Sequence, residues 1–376
     1  MFFSALLYWE VQTIIEDFPC PRGRSAPRVR PRWPVILETI MRAAELSAPH
    51  TGLTLVERDV PAPGPGEILV KMIACGMCNS EVTLTNGEYP MARFPTIPGH
   101  EVSGTVAELG DGVTWPEVGT TVGAQFLHDS DMHCDYCVRG EQIMCPNKHI
   151  TGVETDGGYA EYAIFREGFV TPLPDGIDPV GAAPLMCAGL TAFNGLKQAG
   201  ITPGSRVAVI GAGAIGGMAI RFAAAMGARV AALGRSHRSE DRAKELGAER
   251  FIATGDGDPV AELKNWGFGA DLIVNSTPST ETASAMLGGL APEGTLVLLG
   301  YGPQPLELPS QPMIMNRLHV MASPSGSPKD TRATLDFAAQ HSLMPDIIPV
   351  TLDQAPATLA EMVAGQWHGG RAVITF

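Results

Sequence analysis

The chain has 376 residues, a formal net charge of -14 and 45% hydrophobic residues. That length fits two domains around real cores. The acidic balance excludes nucleic acid and anionic membrane surfaces as partners, because both call for clustered cations, and no apolar run reaches the roughly 18 residues that span a bilayer.

The opening MFFSALLYWEVQTIIED lacks a basic leader and a small-residue cleavage site, so no signal peptide is expected. CPRGRSAPRVRPRWP then crowds arginine with proline. Residues 1–40 therefore read as an atypical extension, an unstructured arm or an over-called start. From Met41 the chain is rich in strands and turns as far as about Ala182. The segment PVGAAPLMCAGLTAFNGLKQAG reads as a helix. Strand and helix then alternate through SRVAVIGAGAIGGMAIRFAAAMGARVAALGRS, RAKELGAERFIAT, ADLIVNST and GTLVLLGYG, the pattern of a doubly wound parallel sheet. One helix, TRATLDFAAQHSL, and a last strand, GRAVITF, close the chain. The fold class is thus α/β, with a Rossmann domain over residues 188–321. A mainly β region is expected over 41–187.

Gly211, Gly213 and Gly216 follow the apolar strand Val207 to Ile210 and open a helix, so they form a G-x-G-x-x-G turn in its proper context. The first glycine makes the turn. The second lets a pyrophosphate approach the backbone, with Ile215 beside it, and the third lets helix and strand pack closely. The helix N-terminus offers its partial positive charge to the phosphates. At the end of the next strand an acidic residue would bind the ribose hydroxyls of NAD, but Gly234 stands there, followed by Arg235, Ser236 and Arg238. A small residue with guanidinium and hydroxyl groups suits a 2′-phosphate, so NADP is expected, with NAD as the alternative.

The seven cysteines are odd in number and mostly in short spacings, which points to metal ligation in a reducing cytosol and a cytoplasmic protein. Cys134, Cys137 and Cys145 fall at x2 and x7 intervals, one ligand short of a closed tetrahedral site. Cys78, His100 and Cys187 offer two thiolates and an imidazole, the three-ligand set of a catalytic zinc with an open position.

These pieces resemble the zinc-dependent alcohol dehydrogenases of the medium-chain dehydrogenase/reductase superfamily, from Met41 to Phe376. The pattern G-H-E-x2-G-x5-G-x2-V is met by Gly99, His100, Glu101, Gly104, Gly110 and Val113. CGMCNSE resembles the first catalytic cysteine segment, and PLMCAGLTAF is similar to the third-ligand segment of the yeast-type and cinnamyl-type branch. The resemblance implies a mainly β, chaperonin-10-like catalytic domain with a zinc lobe, formed by residues 41–187 together with 322–376. It implies that Cys78, His100 and Cys187 bind the catalytic zinc, with Glu101 close enough to enter its shell. Ser80 would take the alcohol's proton, Glu81 would orient His100, Thr191 would touch the nicotinamide, Arg371 the pyrophosphate, and Phe126 would line the substrate pocket. Cys75 matches no ligand and reads as packing.

In that family the lobe runs Cys-x2-Cys-x2-Cys-x7-Cys, and here Asp131 holds the first position. A carboxylate is a legitimate zinc ligand. Asp131, Cys134, Cys137 and Cys145 are therefore expected to hold a structural zinc, with His128 or His133 as substitute fourth ligand, or a metal-free lobe, as the alternatives. Thr83 stands where many members carry a proton-relaying histidine, and Asn79 where some carry a basic residue. The implied reaction is reversible hydride transfer between a primary alcohol or aldehyde and the dinucleotide, in a homodimer or homotetramer. A zinc-free quinone or enone reductase of the same fold is the first rival, and a non-catalytic NADP-binding protein the second.

Overall fold

The computed structural model describes residues 38–368 and 370–376. The expected N-terminal extension falls almost wholly outside them, but its boundary at 40 is too late. The Glu38 carboxylate already accepts a 2.6 Å hydrogen bond from the Tyr162 hydroxyl, and Ile40 begins the first strand. No helix among the described residues is long and apolar enough to cross a membrane.

Two larger sheets organise the chain. The first is mostly antiparallel and runs Ile347–Thr351, Arg371–Thr375, Glu67–Gly76, Glu101–Leu109, Thr121–Ala124, Val170–Pro172. Tyr162–Arg166 adds to Glu67–Gly76, and the hairpin Ile40–Leu46 with Leu53–Asp59 stands beside it. The long strand Glu67–Gly76 buries seven of its ten residues, as a sheet centre requires. The last strand, Arg371–Thr375, lies antiparallel to it, so the C-terminal residues complete the sheet that the early residues began.

The second sheet is wholly parallel, in the order Arg250–Ala253, Arg229–Gly234, Arg206–Ile210, Ala270–Asn275, Leu290–Leu298, His319–Ala322. This is the doubly wound order, with its switch point beside Arg206–Ile210. Apolar runs such as Val207, Ala208, Val209 and Ile210 are buried on both faces, under Phe222 and Leu335 on one side and Leu263 and Met286 on the other. Each such side chain contributes roughly 1.5–3 kcal/mol by leaving water.

The segment read as one helix before this sheet is in fact broken. Asp178 caps Pro179–Ala182 by accepting from the Val180 and Gly181 amides, and a 3-10 turn spans Ala183–Met186. Cys187 leaves helical geometry, at φ -129° and ψ -72°, before Ala188–Gln198 resumes. Pro184 lacks the amide that a continuous helix needs from residues past its first turn, whereas Pro179 stands at the first helical position, where no amide is needed.

Candidate metal centre and cofactor cleft

Cys78 precedes the helix Asn79–Thr85, and Glu81 in that helix's first turn reaches back to accept the Cys78 amide at 2.7 Å. The other Glu81 oxygen lies 2.8 Å from His100 Nδ1. One buried carboxylate thus fixes the cysteine backbone and the imidazole together. With Nδ1 donating to Glu81, Nε2 carries the lone pair, and it is buried with no hydrogen-bond partner. The break at Cys187 brings its sulfur to 3.9 Å from that of Cys78. Ligand atoms of Cys78, His100, Glu101 and Cys187 all lie within 4.8 Å of one another.

This set fits zinc. Two sulfurs each ~2.3 Å from one tetrahedral ion stand about 3.8 Å apart, and an unpartnered buried imidazole nitrogen is costly unless something binds it. The hydrogen bond between the two thiols pulls Cys78 well below an ordinary thiol and pushes Cys187 up. Burial raises the Glu101 carboxyl to about 8 against the opposing charge of Arg371, whose Nη2 is 3.4 Å away. Neither Glu101 oxygen has a hydrogen-bond partner.

Around this cluster the remaining expected residues fall as follows. Ser80 Oγ is 3.6 Å from the Cys78 sulfur. The Phe126 ring meets His100 edge-on at 5.2 Å. Thr191 is buried in the first turn of Ala188–Gln198, its amide bonded to the Cys187 carbonyl. Arg371 is buried and turned inward: Nη1 donates to the Met77 carbonyl at 2.7 Å, while Nε makes no hydrogen bond. Cys75 is buried in its strand and belongs to neither metal set.

Sequence reasoning missed Tyr89 and Tyr301. The Tyr89 ring lies 6.5 Å from Phe126, and its hydroxyl lies against Ser80 and Tyr301, which comes from the loop after Leu290–Leu298. Burial pushes the Tyr89 hydroxyl above its ordinary pKa. The aromatic in NGEYP was the available signal, but nothing local pairs it with a residue more than 200 positions away.

In the lobe, Asp131, Cys134, Cys137 and Cys145 offer four ligand atoms within 4.8 Å of one another. Asp131 Oδ1 accepts the Cys134 amide at 2.9 Å and the His133 amide at 3.0 Å, and Oδ2 accepts from Asn147 at 2.9 Å. These donors, Cys134 first, hold the carboxyl well below the usual range. The donor set fits zinc: three sulfurs and one ionised oxygen, with the carboxylate already oriented. His128 is buried against Phe165 and His133 is largely exposed, and neither joins the group.

The glycine turn is formed as its spacing predicts. Gly211 has φ +87°, open to glycine at little cost, and a Cβ on Gly216 would stand 2.0 Å from the Gly211 carbonyl oxygen. Gly213 precedes the helix Ala214–Ala225, and a Cβ there would meet no neighbour. Ile215 packs against the core. A cavity of about 610 Å³ begins at Gly213 and Ala214 and is also walled by Asn79, Ala188 and Arg371. Gly234 ends its strand with Arg235, Ser236 and Arg238 exposed beyond it. A Cβ on Gly234 would strike Phe251 at 2.7 Å, so this position has no room for a carboxylate.

Residues 64–175 match the alcohol dehydrogenase GroES-like domain and residues 214–340 the zinc-binding dehydrogenase domain. An alcohol dehydrogenase of Geobacillus stearothermophilus is 33% identical over 330 residues, spanning 88% of this chain and 97% of that protein. The chain belongs to the zinc-dependent alcohol dehydrogenase family. Its fold is similar to that of a cinnamyl alcohol dehydrogenase of Sorghum bicolor, with a TM-score of 0.79, 30% identity and coverage of 89% and 97% of the two chains. It is also similar to a cinnamyl alcohol dehydrogenase of Helicobacter pylori complexed with NADP(H), with a TM-score of 0.78, 25% identity and coverage of 90% and 98%. The dehydrogenase is thus a zinc- and NAD(P)-dependent oxidoreductase acting on the CH–OH group of small-molecule alcohols and the corresponding aldehydes.

Proposed function

We propose that the dehydrogenase interconverts primary alcohols and aldehydes with NADP(H), chiefly as an aldehyde reductase. The observation that carries the reading is the unpartnered His100 Nε2 beside two sulfurs 3.9 Å apart, with Asn79 and Ala188, the chain neighbours of Cys78 and Cys187, lining the cavity at the glycine turn. Cys78, His100 and Cys187 hold the catalytic zinc, and Asp131, Cys134, Cys137 and Cys145 the structural one. Bound there, zinc supplies Lewis acidity to the substrate oxygen and the nicotinamide supplies the hydride couple.

The chain's own groups do the rest. Glu81 keeps His100 in the tautomer that presents Nε2. Ser80 exchanges a proton with the substrate oxygen, taking it in oxidation and returning it in reduction. Phe126 and Tyr89 wall the substrate side and exclude water from it. Thr191 orients the nicotinamide, while the Gly211 to Gly216 turn and Arg371 hold the pyrophosphate. Arg235, Ser236 and Arg238 take the 2′-phosphate, with no acidic side chain at Gly234 to repel it. A zinc-free reductase would have no use for a buried Cys–His–Cys set. The reduced thiols suit a cytoplasmic setting, and the working form is a homodimer or homotetramer.

A panel of aliphatic, allylic and aromatic aldehydes with NADPH, followed by loss of nicotinamide absorbance, tests the activity. Turnover that vanishes in His100→Ala is expected. Wild-type turnover in that variant would overturn the reading, and a kcat/KM favouring NADH would overturn the cofactor choice.

A further inference from the structure

The turn after Arg229–Gly234 carries two exposed guanidiniums, Arg235 and Arg238, that make no ion pair among the described residues. Two carboxylates stand at the same turn: Glu240, which opens the next helix, and Asp256, just past Arg250–Ala253. Acids beside arginines ordinarily pair with them, if weakly. Here both are taken by His237. Its Nδ1 lies 2.5 Å from Glu240 and its Nε2 lies 3.1 Å from Asp256. Lys244 holds the other Glu240 oxygen at 2.6 Å. The His237 ring is 6.0 Å from that of Phe251, the ring that a Cβ on Gly234 would strike. The clasped acids and the missing side chain therefore belong to one arrangement at the ribose end of the cleft.

We propose that His237 is a further cofactor-specificity residue, which keeps Glu240 and Asp256 off Arg235 and Arg238 and so leaves both guanidiniums for the 2′-phosphate of NADP. This rests on the NADP reading above. Both ring nitrogens can donate to carboxylates only while the imidazole is protonated. The groups that face it are Glu240 and Asp256 in contact, with Lys244, Asp241, Arg235 and Arg238 around them. With the ring charged, this neighbourhood has one positive charge in excess; with the ring neutral it has none, and one acid is released. The hydrogen bond to Glu240 is the main cause that raises the His237 pKa above that of free imidazole. The clasp is therefore complete below the raised pKa and is lost as pH rises through it.

A 2′-phosphate with a second pKa near 6 is about nine-tenths doubly ionised by pH 7, so above pH 7 the histidine is the group that changes. His237 is 60% exposed at its side chain. Solvent and salt screen it, and the expected effect is on the order of threefold.

The test is titration of the full-length, zinc-loaded enzyme with NADP and with NAD by calorimetry from pH 6 to 8.5, in wild type, His237→Gln and a triple variant. NAD is the reference because it lacks the phosphate. The NADP/NAD affinity ratio of the wild type is expected to fall about threefold as pH rises above 7, where the phosphate is already ionised. The ratio in His237→Gln should be low at every pH, and adding Glu240→Gln and Asp256→Asn to it should restore the high ratio. A wild type that prefers NADP with a ratio unmoved by pH and by His237→Gln overturns the histidine's role alone. A wild type that prefers NAD throughout overturns the cofactor reading and the proposal with it.

Discussion

At His100 one ring nitrogen decides what the other can do. Glu81 takes Nδ1, and Nε2 is left buried, unpaired and aimed at two thiols. The same carboxylate accepts the Cys78 amide, so one residue sets two ligands of the cluster. Glu81→Gln retains an acceptor for that amide but removes the charge behind the imidazole. Zinc affinity at the catalytic site is expected to fall roughly 10–100-fold, read by competition with a chromogenic chelator; an unchanged affinity would show that Glu81 only caps its helix. The pairing was expected only because CGMCNSE and PGHE carry the family resemblance that implies it. Tyr89 and Tyr301 were not, because their contact is made by the way the two sheets face each other, and no local pattern encodes it.

At the scale of elements, the departure at Cys187 shows how packing overrides a periodic apolar run. The run reads as one helix, yet Pro184 and an off-helix cysteine divide it, and the division places the third sulfur. The lobe makes the complementary point, for a carboxylate at its first position is held by three N–H donors and faces three sulfurs. Asp131→Asn is expected to lower the zinc content by one ion per chain and to reduce the melting temperature while turnover at 25 °C persists. Unaltered zinc content would remove Asp131 from the ligand set. Nearby, on the strand Leu127–Asp129, burial lowers the His128 pKa to about 4. The unfolded chain, at about 6.5, binds the proton more readily, so stability is full above pH 6.5 and is lost as pH falls toward 4. The loss amounts to up to about 3 kcal/mol. His128→Gln should flatten the melting temperature over that window, and an equal slope in both proteins would contradict it.

For the whole molecule, the two sheets have separate duties. The parallel sheet carries the glycine turn and the ribose-end residues, and the mostly antiparallel one carries Glu101 and the Cys78 segment. Its closing strand begins at Arg371, so the C-terminus reaches back to the catalytic cluster. The alternation of strand and helix made the parallel sheet readable, whereas the pairing of the last strand with Glu67–Gly76 has no local signal in the sequence. Cys78 and His100 of the catalytic set are buried, while Asp131 and Cys134 of the lobe are partly exposed. Chelation should therefore release zinc in two phases, the lobe first with turnover retained and the catalytic ion later with turnover lost. A single phase that tracks activity would contradict this order. The most direct measurement is the zinc content and alcohol turnover of purified Cys78→Ser beside the wild type, with NADP binding as the check on folding. The account predicts one zinc fewer, no turnover and dinucleotide affinity within a few-fold of the wild type; full zinc content with full turnover would contradict it.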